Sequence, residues 1–329
     1  ELPLRLVGSE MCIRDRNMAM HNADLIIAIG ARFDDRITNT PALFAPKARI
    51  IHIDVDPASI SKIITADIPI VGQVKESISA LIKEIKRSKL KIDSDALDAW
   101  NSQISTWRAK HGLDHELYLQ KNKSKMILPQ VVVQELYQAT NGNAWVTSDV
   151  GQHQMFVAQY YHFNKPRRWI NSGGLGTMGF GLPAAMGAKL AFPKDEVVCV
   201  TGEGSIQMCI QELSTCLQYN LPIKIININN EALGMVRQWQ DMNYGGRHSA
   251  STYADSLPDF VKLAESYGHV GMKVTKQSQL RKTLDKAFAM KDRLVFVDVY
   301  VDPNEHVYPM LVAPSGSMQD MWIKKNTKA

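Results

Sequence analysis

The tetrapeptide Gly202-Glu203-Gly204-Ser205 follows an apolar run at 197–201 and leads into a helical pattern. A strand that hands over to a glycine loop and then a helix leaves free N–H groups at a sheet edge. Open α/β sheets bind ligands there, and glycine lets the backbone come close to a phosphate. A carboxylate in the same nest would repel that anion unless a divalent cation bridged the two. Asn230 stands twenty-seven positions after Glu203, at the end of the next apolar run. Strand, crossover helix and strand bring Glu203 and Asn230 side by side. A carboxylate oxygen, an amide oxygen and a nearby backbone carbonyl suit Mg²⁺, which also takes phosphate oxygens and water. Taken alone, Gly-Glu-Gly reads as a tight turn; the Asn at this spacing makes it a metal and phosphate site.

Other residues are less decisive by themselves. His153 is a loop histidine, Met178 is a core filler, and Trp239 is an aromatic on a helix. Gly30-Ala31-Arg32-Phe33-Asp34-Asp35-Arg36 follows a short apolar run but lacks G-x-G-x-x-G, so a capped turn stays open beside a nucleotide site.

The elements that must position these groups follow from periodicity. Runs at 25–30 and 49–55 read as strands, and 57–64 and 73–85 show helical spacing. Residues 86–125 are polar and charged, with one amphipathic helix at 97–110. Beyond them, helices and strands alternate: helices at 129–139, 153–160, 179–190, 206–218, 233–241, 257–267 and 280–290, and strands at 145–148, 169–170, 197–201, 223–228 and 294–299, with a short strand before the last helix. Such alternation implies an α/β fold with two doubly wound parallel-sheet domains. The expected divisions are a non-native leader at 1–16, a partial middle domain at 17–87, a linker at 88–125, a second domain at 126–310 and a tail at 311–329.

Composition excludes several classes. The chain has 329 residues, 45% hydrophobic and 22% charged, enough for about two domains of roughly 100–200 residues. A net charge of +5 with no long basic block makes nucleic acid an unexpected partner, and no apolar run reaches membrane-spanning length. The four cysteines, Cys12, Cys199, Cys209 and Cys216, show no C-x-x-C spacing. They read as buried small hydrophobes of a reducing, cytoplasmic compartment.

Gly-Glu-Gly followed by an Asn pair resembles the thiamine diphosphate motif, which normally carries Asp where this chain has Glu203. Glu keeps the charge and reaches one methylene further, so either the loop adjusts or the metal affinity changes. The strings 148–156 (SDVGQHQMF), 171–185 (NSGGLGTMGFGLPAA), 201–208 (TGEGSIQM) and 233–240 (LGMVRQWQ) are similar to the large catalytic subunit of bacterial acetohydroxyacid synthases, also called acetolactate synthases. The likeness runs from about Asn17 to the C-terminus.

The resemblance implies thiamine diphosphate, Mg²⁺ and FAD as cofactors. It places the diphosphate on Gly151, Gln152, His153, Gly202, Gly204 and Ser205, and the metal on Glu203, Asn230 and the Ala232 carbonyl. Gly176 and Met178 would meet the aminopyrimidine, with Met178 propping the two rings into a V. Gly30, Arg32, Asp34, Asp54 and Val55 would line the flavin of a FAD-type middle domain. Arg36 would receive the carboxylate of a second 2-keto acid, while Trp239, Met235 and Val236 would shape the acceptor pocket and Pro314-Ser315-Gly316 a closing loop. The implied activity joins a two-carbon unit from pyruvate to pyruvate or 2-oxobutyrate, in a homo-oligomer of at least two chains with a regulatory small subunit. The implied catalytic Glu belongs to an N-terminal domain outside this sequence, so the chain as given is expected to be an inactive fragment. A pyruvate oxidase, a 2-keto acid decarboxylase or a non-catalytic nucleotide-binding module stand as alternatives.

Overall fold

The computed structural model describes residues 14–89, 91–111, 126–253, 256–311 and 316–322. Most of the expected leader, Cys12, the segment 112–125, Pro314-Ser315 and the last seven residues lie outside the described residues. The chain divides into two compact units.

The larger unit, ending at Val307, is built on a six-stranded parallel sheet. Its strands are β4 (Trp145–Ser148), β5 (Trp169–Asn171), β6 (Val197–Thr201), β7 (Lys224–Asn229), β8 (Val270–Val274) and β9 (Val295–Tyr300), in the spatial order β5-β4-β6-β7-β9-β8. In β6 both Val197 and Cys199 on one face and Val198 and Val200 on the other are fully buried. A strand covered on both faces has no polar alternation to show, which is why it reads as a continuous apolar run. One face packs Leu182, Ile206, Leu213, Phe260 and Phe296 into a continuous core. Each such side chain contributes about 1.5–3 kcal/mol by leaving water. Cys199, Cys209 and Cys216 are free thiols buried in it.

The chain order reverses beside β4: β5 lies on one side and β6 on the other. Reversal leaves the loops after β4 and β6 diverging to opposite faces, with a crevice between them at the carboxyl ends of the strands.

The smaller unit comprises residues 14–111 together with 308–322. Its parallel sheet has β1 (Leu25–Ile29), β2 (Arg49–Asp54) and β3 (Ile68–Val71) in chain order. Phe33, Phe44, Ile50 and Met318 pack its core, while Leu25, Ile27 and Ile29 on the other face of β1 are exposed. Helix Val74–Ser88 carries no buried residue. Helix Arg14–Asn22 crosses the boundary expected at 16, and its buried Asp15 lies 3.7 Å from Arg108 of helix Ser94–His111.

Two expectations fail. Residues 57–64 form turns rather than a helix. Asp56 accepts hydrogen bonds from the Ala58 N–H (2.9 Å) and the Ser59 hydroxyl (3.3 Å), and the Ser61 hydroxyl accepts from the Ala66 N–H (3.0 Å). Short polar side chains thus satisfy the backbone locally and displace the helical ladder. The helix expected at 206–218 is two pieces, Glu203–Ile206 and Glu212–Gln218. Strand β3 had no counterpart in the periodicity; with Pro69 inside it, it survives as an edge strand paired to β2 alone.

Candidate functional site

Beyond the end of β4, the Asp149 N–H donates to the Val200 carbonyl of β6 at 2.9 Å, closing the two strand ends on one another. The fully buried Asp149 carboxylate then ties down three segments. It accepts from the N–H groups of Val150 (3.0 Å) and Gly179 (2.8 Å) and from the Thr201 hydroxyl (3.3 Å). Burial raises its pKa, and these donors pull it back. Asp149 therefore positions the loop that carries Gly176 and Met178 against the ends of β4 and β6. Sequence reading passed over it, although a carboxylate directly after a buried strand was the available signal.

Gly151 adopts φ 148°, and a Cβ there would stand 2.9 Å from the His153 ring. At Gly202 a Cβ would stand 2.8 Å from the same ring. The two expected glycines thus form a cradle that only residues without side chains permit. His153 lies inside it, and burial pushes its pKa down to about 3, so the ring is neutral at pH 7. Its Nε2 is buried with no hydrogen-bond partner in the structure, as expected where another group completes a site. The Ser205 hydroxyl donates to the Val150 carbonyl at 3.0 Å. The hydroxyl of Tyr253 closes over Gly204, where a Cβ would overlap it.

Glu203 and Asn230 come from the ends of neighbouring strands β6 and β7, in register from Val198↔Lys224 to Thr201↔Asn227. Their side-chain oxygens converge on one donor. The Ala232 N–H donates to Glu203 Oε1 at 2.7 Å and to Asn230 Oδ1 at 3.2 Å. Glu203 is 1% exposed, and loss of water raises its pKa to about 8; backbone N–H groups oppose the rise and the Asp298 charge adds to it. No group of three or more His, Cys, Asp or Glu side chains able to hold a metal occurs among the described residues. The paired oxygens of Glu203 and Asn230 are of another kind, of the type that suits a hard cation. A buried carboxylate beside an amide oxygen, next to an orphan imidazole and a side-chain-free cradle, fits a diphosphate bridged by Mg²⁺.

Further residues stand around this centre. Asn230 donates to Gln152, which donates to Gln238. Gln238 lies between the expected Met235 and Trp239 on helix Gly234–Asn243, where all three neighbours Met235, Val236 and Trp239 are at least partly exposed. Met178 is half-buried and Gly176 exposed, with φ 66°. Neither Gln238 nor Tyr253 carried a sequence signal, since their roles arise from contacts between distant segments.

In the smaller unit, Gly30 and Asp54 meet at the carboxyl ends of β1 and β2, where the Gly30 N–H donates to the Ile53 carbonyl at 2.8 Å. Val55 is exposed beside them. Arg32 pairs with Asp34 at 2.9 Å on the surface. Arg36 belongs to the short helix Asp35–Thr38, and its side chain lies outside the described residues.

A topological crevice lined by a glycine cradle and an acid–amide pair defines a class. Residues 149–299 match the family described as thiamine pyrophosphate enzyme, C-terminal TPP binding domain, and residues 3–81 match its central domain. The chain belongs to the thiamine pyrophosphate enzymes, among the homologues of acetolactate synthase large subunits. It is 54% identical to the acetolactate synthase isozyme 3 large subunit of Escherichia coli over 316 residues, which is 95% of this chain and 54% of that protein. It is 53% identical to the acetolactate synthase large subunit of Haemophilus influenzae over 311 residues (94% and 53%). To the large subunit of Cyanidium caldarium it is 40% identical over 312 residues (95% and 52%). The chain spans about half the length of the curated relatives it matches.

Proposed function

We propose that the chain is the central and C-terminal part of an acetolactate synthase catalytic subunit. The whole protein would convert two 2-keto acids to a 2-aceto-2-hydroxy acid with loss of CO₂, giving 2-acetolactate from pyruvate or 2-aceto-2-hydroxybutyrate with 2-oxobutyrate, for branched-chain amino acid synthesis. The observation that carries this reading is the shared Ala232 N–H, which brings the Glu203 and Asn230 oxygens together at the carboxyl ends of the neighbouring strands β6 and β7.

Glu203, Asn230 and the Ala232 carbonyl would hold Mg²⁺. Gly151, Gln152, His153, Gly202, Gly204 and Ser205 would surround the diphosphate, and Gly176 and Met178 the pyrimidine. Bound thiamine diphosphate supplies a nucleophilic ring carbon and an electron sink for decarboxylation. Asp149 keeps the cofactor loops in place, and the low-dielectric walls strengthen each polar contact. In the smaller unit, Arg36 would take a 2-keto acid carboxylate through its fork of donors; in the larger unit, Met235, Val236 and Trp239 would size an alkyl group. FAD would lie along the ends of β1 and β2, on Gly30, Arg32, Asp34, Asp54 and Val55, with no electron transfer in the net reaction. A homo-oligomer with a regulatory small subunit, and a cytoplasmic location in keeping with three buried free thiols, complete the reading. No helix among the described residues is long and apolar enough to cross a membrane.

Calorimetry of thiamine diphosphate binding with and without Mg²⁺ tests it. The chain is expected to bind only with the metal, and Glu203→Ala to weaken binding by about 100-fold, as loss of a charged oxygen ligand implies. Binding that is indifferent to Mg²⁺, or to this substitution, would refute the assignment. In the longer protein, acetolactate rather than acetaldehyde should form from pyruvate.

A further inference from the structure

A carboxamide can turn either its oxygen or its NH₂ toward a metal, and only the oxygen ligates. What sets the orientation of Asn230 can be read by elimination. The Val307 backbone N–H, which can only donate, lies 2.9 Å from Gln238 Oε1, and the Val307 carbonyl, which can only accept, lies 3.0 Å from Gln238 Nε2. These two contacts fix the Gln238 amide. Its Oε1 then accepts from Gln152 Nε2 at 2.8 Å, which leaves Gln152 Oε1 to accept from Asn230 Nδ2 at 2.9 Å. From the other end, the Ala232 N–H at 3.2 Å requires an oxygen at the remaining Asn230 position. Both ends demand the same orientation. Gln238 is fully buried and Gln152 is 5% exposed, so water cannot substitute for a missing link.

We propose that Gln238 is a positioning residue: a one-way relay of three amides, anchored on the Val307 backbone and passing through Gln152, holds the Asn230 oxygen toward the metal. This rests on the reading of Glu203 and Asn230 as metal ligands. It also ties the helix that carries Met235 and Trp239 to the metal site through side chains, in addition to the short backbone segment 231–233.

The test is Mg²⁺ titration of the full 329-residue chain at saturating thiamine diphosphate, followed by calorimetry. Gln238→Met keeps the volume and removes the acceptor for Gln152; it should raise the half-saturating Mg²⁺ concentration about tenfold, the usual scale for losing a partner of a metal ligand. Gln238→Glu still accepts from Gln152 and from the Val307 N–H; burial keeps the new carboxyl protonated, so it also donates to the Val307 carbonyl, and the variant should stay within about threefold of the parent. Asn230→Asp presents two equivalent oxygens, so in that background Gln238→Met should cost less than about twofold. An equal loss in both backgrounds, equal losses for Met and Glu, or no loss with Met would each overturn the relay. Side-chain amide NMR of the unsubstituted, metal-free chain reads the same orientation without a variant. One Asn230 amide proton should exchange slowly, and two rapidly exchanging protons would overturn the proposal. If the parent shows no Mg²⁺-dependent binding at all, the metal site itself fails and the relay falls with it, a result distinct from the others.

Discussion

Gly234→Ala separates a local rule from the tertiary structure. Gly234 opens helix Gly234–Asn243 and its φ is not positive, so alanine fits the backbone. Helix propensity alone says that alanine stabilises this position by up to about 1 kcal/mol. The structure says the opposite. A Cβ at 234 would overlap Gln152 Oε1 and Asn230 Nδ2, and would stand 2.9 Å from Gln152 Cδ. Those atoms belong to the flexible ends of side chains, but both are tied into the buried amide relay. Yielding to the methyl group breaks two of its hydrogen bonds. Leaving buried polar groups unpaired costs about 1–3 kcal/mol each, and partial relaxation brings the pair to about 2–4 kcal/mol. Subtracting the helix gain leaves a net loss of about 1–3 kcal/mol. In a unit of this size that lowers Tm by about 4–8 °C for a 2 kcal/mol loss. Thermal melting followed by far-ultraviolet circular dichroism measures it, with Mg²⁺-dependent cofactor binding as the second reading. A Tm that is unchanged or higher, with cofactor binding intact, would refute the claim that the backbone approaches this closely because the relay needs the space.

Asp149→Ala strands the Val150 and Gly179 N–H groups and should destabilise the chain by about 2–4 kcal/mol, with limited proteolysis accelerating in 172–180; a native digestion pattern would count against the clamp. Lys224 is buried, donates to the carbonyls of Met290 (2.8 Å) and Arg293 (3.1 Å), and is pushed down from 10.5 to about 8 by loss of water. The unfolded chain therefore holds this proton to higher pH than the folded one, so stability gains as pH climbs from about 8 toward 10.5. Lys224→Gln should remove that slope, and urea midpoints that run parallel in the two proteins across this range would contradict it. In the full-length synthase proposed above, Trp239→Leu should lower the preference for 2-oxobutyrate over pyruvate by about tenfold, the scale of discrimination by one methylene in an apolar pocket; an unaltered product ratio in competition would count against the proposed role of Trp239.

Much of this site is written in the chain as local chemistry. Glu203 sits in a glycine loop after a buried strand, and Asn230 ends the next strand. Neighbouring parallel strands must place those two ends together, so the pairing needs only strand order and spacing. Residues 197–201 become a strand because their apolar run suits a sheet covered on both faces. Periodicity failed where side chains compete with the backbone, as Asp56 and Ser61 do in the turns at 57–66. It also failed at β3, where Pro69 disguises an edge strand. The switch point beside β4 was beyond it, because strand order depends on which crossover packs on which face. So were Asp149, Tyr253 and the amide relay. Hydrogen-bond partners separated by 78 residues between Gln152 and Asn230, or 86 between Gln152 and Gln238, have no period and no spacing rule. Residue types and local order pointed to the groups whose chemistry suits metal and phosphate; only three-dimensional packing decided which way each amide points, because that direction is set by donors and acceptors arriving from elsewhere in the fold.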